Sequence, residues 1–256
     1  MISNRAIIED GAKIGKNVKI EANVFISKDA VIGDNTVIKH GACIYGKTKI
    51  GKNNQIFSYA ILGSIPQDLK FKGEDVELII GDNNKIREFC LINPGTEGGG
   101  RKTIIGDNNL LMGYVHVAHD CKIQNSCILA NAATLAGHVE LGNSVVIGGM
   151  TPIHQFVKIG DFAMIAGASA INQDIPPFCL AEGNRAVIKG LNLVGLRRHF
   201  DRSTIDNLKR AYKELFLSGE PLQEAAKRVY ENSEDKNVKK LAKFVLETKR
   251  GIPFRK

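Results

Sequence analysis

An aliphatic residue recurs at every sixth position through two thirds of this chain, a period that few folds can satisfy. Counting from Ile8, steps of six land on Ile14, Ile20, Ile26, Ile32, Ile38, Ile44, Ile50, Ile56 and Leu62. The register restarts for Ile80, Ile86 and Ile92, and again at Ile105, from which it runs to Ile171 without a polar exception. The residue two places earlier is mostly small (Ala6, Ala12, Ala30, Ala42), and Cys90, Cys121 and Cys127 fall in that same slot. Glycine often follows the aliphatic, as at Gly15, Gly33, Gly51, Gly81 and Gly106, and Asn or Asp crowds the rest of the hexad. Such residues tolerate positive φ, so each hexad reads as a short strand followed by a turn. Strands of about two to four residues that turn this often cannot hairpin back on themselves. They can wind into a parallel β-helix, with three hexads per coil and one large aliphatic per face pointing inward. Residues 18 apart then stack on one face, about 4.8 Å from one coil to the next.

Two polar, glycine-bearing insertions break the register, at 63–77 (GSIPQDLKFKGEDVE) and 96–102 (TEGGGRK). Loops that project from a regular body tend to carry function. The hexads stop after Ile171, and Pro176-Pro177 punctuates the break. From Ser203 the apolar period becomes helical. Ile205, Leu208, Tyr212, Leu215 and Phe216 form a stripe, with Ser203 as the expected N-cap and Gly219 as the stop. Leu222, Ala225, Ala226 and Val229 predict a second helix, and Val238, Leu241, Phe244 and Val245 a third. The expected fold is mainly β: a parallel β-helix over 1–175 with projecting loops at 63–77 and 96–102, followed by a small C-terminal α-helical domain over 176–256.

Charge divides at the same boundary. The chain carries 35 Lys+Arg against 27 Asp+Glu, a net charge of +8, and residues 176–256 hold 18 of those cations against 10 acids. The solenoid is therefore neutral, and the whole excess sits on the helical domain, which predicts an acidic partner there. No aromatic ladder or nucleic-acid motif accompanies those cations, so nucleic acid is not expected. No stretch approaches ~20 apolar residues, so no membrane-spanning helix is expected. The N-terminal segment lacks the basic-then-apolar pattern of a secretory signal. The five cysteines are odd in number and form no C-x-x-C pair. They read as reduced packing residues of a cytoplasmic protein.

Four of the six histidines fall close together: His116, His119, His138 and His154. Stacking at 18 residues places Asp120 under His138, and His119 under Gly137 with Gln155 one coil further on. None occupies the inward slot, so this strip is expected to face outward. It suits acyl transfer to a hydroxyl or an amine. A neutral His removes the acceptor's proton as it attacks a thioester. An adjacent Asp fixes the tautomer and stabilises the imidazolium. The Gly137 N–H, one coil away, receives the developing oxyanion. No Ser or Cys nucleophile and no cofactor is needed. Zinc is the competing chemistry, since carbonic anhydrases built of hexapeptide repeats hold it with three His at subunit interfaces. The residues around the cluster match another family, and no metal is expected.

That match begins with HVAHDCKIQNSCILANAATLAGHVELGNSVVIGGMTPIHQF (116–156), which resembles the UDP-N-acetylglucosamine acyltransferases of lipid A biosynthesis. The resemblance extends over essentially the whole chain, through IPQDLKFKGE, NPGTEGGG, QDIPPF and GLNLVGLRR. No globular segment precedes the first hexad, unlike the related N-acyltransferase of the same pathway. The resemblance implies left-handed winding, against the usual right-handed crossover rule. It also implies a homotrimer with sites between neighbouring solenoids, and transfer of a 3-hydroxyacyl chain from acyl carrier protein to the 3-position of a UDP-sugar. By the same resemblance His119 matches the general base, Asp120 its orienting partner and Gly137 the oxyanion donor. Asp68, Lys70, His116, His138 and Gln155 match sugar- or phosphate-proximal positions, and His154 a further site residue. Asn192 and Arg198 match the nucleotide-binding stretch. Gly167 matches the position that gates acyl-chain length, and its small size implies room for a longer chain.

Two positions depart from the family pattern. Val194 stands where some relatives carry Glu, and Asn93 where some carry His. Both 3-hydroxyl and 3-amine acceptors therefore stay open. The alternatives are a coenzyme-A-dependent acetyltransferase on the same fold and a non-enzymatic solenoid that binds an acidic partner. The implied acyl groove and UDP-binding stretch argue against the first, and the histidine cluster against the second. Arg210 and Lys213 are expected to belong to a docking surface for the strongly acidic carrier protein.

Overall fold

The computed structural model describes residues 1–254. Two-residue strands, lengthening to four at Lys47–Ile50, Glu77–Ile80 and Lys102–Ile105, stack into three parallel sheets. The first sheet runs from Ile7–Ile8 to Pro152–Ile153 and the second from Lys13–Ile14 to Lys158–Ile159. The third starts at Lys19–Ile20 and ends at Val187–Leu191. The register is the one the hexads predict. Ile8 pairs with Ile26, Ile26 with Ile44 and Ile44 with Leu62. Each insertion lengthens a coil without disturbing the core, so Leu62 pairs with Ile92 and Ile92 with Val117. The whole is a left-handed parallel β-helix followed by a small helical domain.

One column of aliphatics per sheet fills the interior. Ile26, Ile44, Leu62, Ile92, Val117 and Leu135 are completely buried, and so are Cys90, Cys121 and Cys127 in the small slot. Turns are made by the residue three places after the inward aliphatic, which lies at φ near +60° in coil after coil. Asn35, Asn53, Asn83 and Asn108 fill it at one corner, but so do Tyr59, Phe89, Asp120, His138 and Phe156 elsewhere. This conformation costs a non-glycine residue about 1–2 kcal/mol. A hydrogen bond to the preceding coil offsets it: His138 N–H donates to the His119 carbonyl, and Phe156 N–H to that of Gly137, both at 3.0 Å.

The glycines that follow the aliphatic have a different purpose from the one expected. Gly15, Gly33, Gly51, Gly81 and Gly106 do not have positive φ. Each lies where a Cβ would run into the next coil, at Gly33 the carbonyl of Gly51. Close stacking, rather than turn conformation, excludes a side chain there. At that corner an Asp or Asn caps the N–H left over one coil below. Lys16 N–H donates to Asp34 at 2.8 Å, Lys52 N–H to Asp82 at 2.6 Å and Asn143 N–H to Asp161 at 2.8 Å.

Hydrogen bonding of the third sheet crosses the double proline. Cys179–Glu182 adds in parallel to Met164–Ile165, and Val187–Leu191 returns antiparallel to it. Helices α1 (Leu193–Leu196), α2 (Arg202–Phe216), α3 (Leu222–Asn232) and α4 (Lys236–Glu247) follow. The cap of α2 is Asp201 instead of Ser203, its carboxylate accepting the Thr204 N–H at 2.7 Å. An acidic cap also complements the positive end of the helix. The helix ends at Phe216, and Gly219 turns the chain beyond it at φ +83°. Ile205, Leu208, Leu215 and Phe216 are buried, as the stripe predicts. Among the described residues no helix is long and apolar enough to cross a membrane.

Asp174, 1% exposed, ties the end of the chain to the solenoid. Its carboxylate accepts from the Lys158 N–H at 2.8 Å, the Thr248 hydroxyl at 2.6 Å and the Arg250 N–H at 3.4 Å. Its own N–H donates to the Gly251 carbonyl at 3.0 Å.

Candidate active site

Each coil turns from the first sheet to the second through a corner, and successive corners stack His119–Asp120, Gly137–His138 and Gln155–Phe156. His119 Nδ1 lies 2.8 Å from Asp120 Oδ2. The Asp120 side chain has no solvent exposure, so its charge depends on internal donors. The second insertion supplies them. Thr96 N–H donates to Oδ1 at 2.8 Å, and the Thr96 hydroxyl to Oδ2 at 2.6 Å. Gly99 belongs to the same loop, and a Cβ there would strike the Asp120 carboxyl carbon. With Nδ1–H donating to the carboxylate, the lone pair of the neutral ring is on Nε2. That nitrogen faces Gly137, where an added Cβ would sit 2.8 Å from it. Among the described residues the Gly137 N–H has no acceptor, whereas the N–H at the matching step of an earlier coil, Lys28, is capped by Glu9 at 2.8 Å.

The His138 ring stands edge-on to His119, with centroids 5.2 Å apart, and stacks on Phe156 at 4.3 Å. Its Nε2 is 3.8 Å from Asp120 Oδ2, too far for a hydrogen bond. Burial pushes the His138 pKa below its ordinary value, against the opposing pull of the Asp120 charge. His116, whose Nδ1 lies 3.2 Å from the Leu91 carbonyl, is lowered by burial in the same way. His154 and Gln155 are exposed at the next corner. His119, Asp120 and His138 present ligand atoms within 4.8 Å of one another. The carboxylate of that trio already accepts three hydrogen bonds, an arrangement suited to orienting a base rather than caging a metal.

Two cavities flank the His138–Phe156 stack. One, of about 520 Å³, is lined by Asp68, Lys70, Phe71, Thr96 and Glu97. It brings the first insertion's Asp68 and Lys70 to this corner. Asn93, 1% exposed, pins the base of that insertion, its Nδ2 donating to the carbonyls of Ser64 at 3.0 Å and Ile65 at 3.1 Å. The other cavity, of about 440 Å³, opens toward the second sheet between Lys122, Lys158, Lys249 and Arg250.

Residues 174–253 match the family described as UDP N-acetylglucosamine O-acyltransferase, domain 2, and residues 102–137 match the bacterial transferase hexapeptide (six repeats). A protein of Aliarcobacter butzleri named acyl-[acyl-carrier-protein]--UDP-N-acetylglucosamine O-acyltransferase is 64% identical over 254 residues, covering 99% of this chain and 98% of its own. One of Nautilia profundicola with the same name is 66% identical, covering 99% and 97%. The solved UDP-N-acetylglucosamine acyltransferase from Campylobacter jejuni superposes with a TM-score of 0.96 at 57% identity, covering all of both chains. The chain belongs to the UDP-N-acetylglucosamine acyltransferase family.

In this acyltransferase one chain does not bring every expected residue to the His119 corner. Asn192 caps α1, its Oδ1 accepting the Gly195 N–H at 3.1 Å and its Nδ2 donating to the Phe162 carbonyl at 3.0 Å. Phe162 is a turn residue between the second and third sheets, so Asn192 sits at a different corner, with the exposed Arg198 just past α1. Gly167 lies at the third corner, where a Cβ would stand 3.4 Å from the Gly149 carbonyl. Arg210 and Lys213 are exposed on α2, and Arg210 donates to Asn207 Oδ1 at 2.5 Å.

Sequence reasoning missed three things in this acyltransferase. Thr96 and Gly99 lie inside a flagged insertion, but nothing periodic marks them as partners of Asp120. Phe156 lies inside the quoted motif. At the third corner the exposed rings of Tyr59, Phe89 and Tyr114 stack with centroids 5.5 and 5.0 Å apart. The insertions stretch the coil from 18 residues to 30 and 25, which hides that column from an 18-residue count.

Proposed function

We propose that this chain transfers a 3-hydroxyacyl group from acyl carrier protein to the 3-position of a UDP-N-acetylglucosamine-type sugar nucleotide, the first step of lipid A biosynthesis, in the cytoplasm. The observation that carries the reading is the His119 Nδ1–Asp120 contact of 2.8 Å, with Nε2 free over Gly137. The acceptor hydroxyl gives its proton to Nε2 as its oxygen attacks the thioester carbonyl. Asp120 holds the tautomer and stabilises the imidazolium that forms. The Gly137 N–H, without an acceptor among the described residues, is available to the oxyanion. Collapse of the adduct breaks the C–S bond, and the departing thiolate takes the proton back from His119.

Asp68, Lys70, His116 and His138 surround the sugar and its phosphates, with His154 and Gln155 at the next corner. Asn192 and Arg198 reach the nucleotide, and Gly167 the acyl chain, from other subunits of a homotrimer. Their separation from His119 within one chain supports that assembly, and so does the exposed aromatic column at the third corner. Arg210 and Lys213 dock the carrier protein. An amine acceptor needs the same base, so the assay pairs 3-hydroxyl and 3-amino UDP-sugars with carrier-bound acyl chains of several lengths.

His119→Ala is expected to lower kcat by at least ~10²-fold while leaving circular dichroism and oligomer size unchanged. Substantial turnover by that variant would sink the mechanism. Charge reversal in Arg210→Glu/Lys213→Glu is expected to raise KM for the acylated carrier protein and blunt its salt dependence. An unchanged KM would move the docking surface elsewhere.

A further inference from the structure

Beyond Asp120 and His138, the second cavity beside His138 is lined by charged side chains that have no part in the reaction as described, Lys122, Glu140, Lys158, Asp174, Lys249 and Arg250. Lys122, Glu140 and Lys158 are register neighbours on the second sheet. Glu140 pairs with Lys158 at 3.2 Å, which leaves Lys122 without an ion-pair partner among the described residues. The facing wall is the segment just after α4. Lys249 likewise has no ion-pair partner among the described residues, and Arg250 donates its Nε to the Asn172 carbonyl at 3.2 Å. Two further carboxylates line the cavity, Asp120 and Asp174, both buried. Their oxygens already accept from Thr96 and His119 in one case, and from Lys158 N–H, Thr248 and Arg250 N–H in the other. The unpaired cations therefore face the cavity rather than an internal acid. The segment that carries Lys249 is tied to the solenoid on both sides, because the Asp174 carboxylate accepts the Thr248 hydroxyl and the Arg250 N–H.

Acyl transfer from a carrier protein to a sugar nucleotide joins two substrates that both carry phosphate. One has the diphosphate of UDP, and the other the phosphodiester of the carrier's phosphopantetheine arm. The proposed function already places the phosphates of the sugar nucleotide near Asp68 and Lys70, in the cavity on the other side of the His138–Phe156 stack. We propose that the cavity between Lys122, Lys158, Lys249 and Arg250 is a second phosphate-binding subsite, built jointly by the solenoid face and the C-terminal segment. Lysines supply mobile point charges to such a group, and the arginine a planar fork. The proposal rests on the reaction taking place at the His119 corner.

The test is the double variant Lys122→Ala/Lys249→Ala in the full-length assembly, against Lys19→Ala/Lys85→Ala, which removes the same charge from the third sheet. KM is measured separately for the UDP-sugar and the acylated carrier protein, and calorimetry follows binding of UDP and of free phosphopantetheine. Charge-assisted hydrogen bonds of ordinary strength predict a rise of about tenfold or more in one KM, with kcat within about twofold and restoration by Lys122→Arg/Lys249→Arg. Weakened UDP binding assigns the subsite to the nucleotide, and weakened phosphopantetheine binding to the carrier's arm. Both KM values within twofold of the control variant would overturn the proposal. Failure of the His119 mechanism is read independently, from the turnover of His119→Ala.

Discussion

At the scale of single residues, the Asp120 side chain is enclosed by the fold and hydrogen-bonded by donors from a loop that the repeat does not encode. His119, Asp120 and Gly137 were legible in the sequence because a fixed coil length turns spacing into contact. Thr96 and Gly99 were not, because the path of an insertion follows from no period. The half-buried His116 and His138 carry a testable consequence. Their pKa values in the folded chain lie below the ordinary 6.5, chiefly because burial disfavours the charged ring. Below about pH 6.5 the unfolded chain therefore binds more protons than the folded one, so stability is lost as pH falls through that region. Thermal melts from pH 7 to 5 should show a declining Tm, and the decline should be shallower in His116→Gln. An identical slope would mean that His116 contributes nothing to it.

At the scale of elements, the hexad located the strands and their register, and the helical stripes located α2, α3 and α4. The Cys179–Leu191 hairpin and α1 escaped notice because neither is long enough to display a period. The N-cap of α2 was misplaced because Ser203 and Asp201 are both capping residue types, and only the geometry chooses between them. The glycines show most plainly how a correct pattern can carry the wrong reason. Gly33→Ala places a methyl group against the Gly51 carbonyl and is expected to cost about 1–3 kcal/mol as overpacking. Gly98→Ala, in open space and at an ordinary φ, should leave Tm almost unchanged. Equal melting shifts for the two would show that close stacking of coils is not what requires glycine.

At the scale of the whole molecule, a single chain holds the residues proposed for the site at three separate corners. No property of one sequence says which corner of one solenoid meets which corner of the next, and this is where legibility ended. Complementation addresses it directly. His119→Ala and Arg198→Ala chains, each poorly active alone, should regain activity when unfolded together and reassembled, because a hybrid site then unites His119 of one subunit with Arg198 of another. If the mixture is no more active than its components, both residues serve the same chain's site.

The left-handed turn slot has a consequence of its own. It prescribes a backbone angle and leaves the side chain unspecified, so Asn fills it at one corner, aromatic rings at another, and Asp120 and His138 at the third. Packing and reactivity are thus written in different letters of each hexad. A solenoid of this kind can exchange its reactive groups one turn at a time while every inward aliphatic stays where it was, which makes the fold a frame for new chemistry as much as a support for this one.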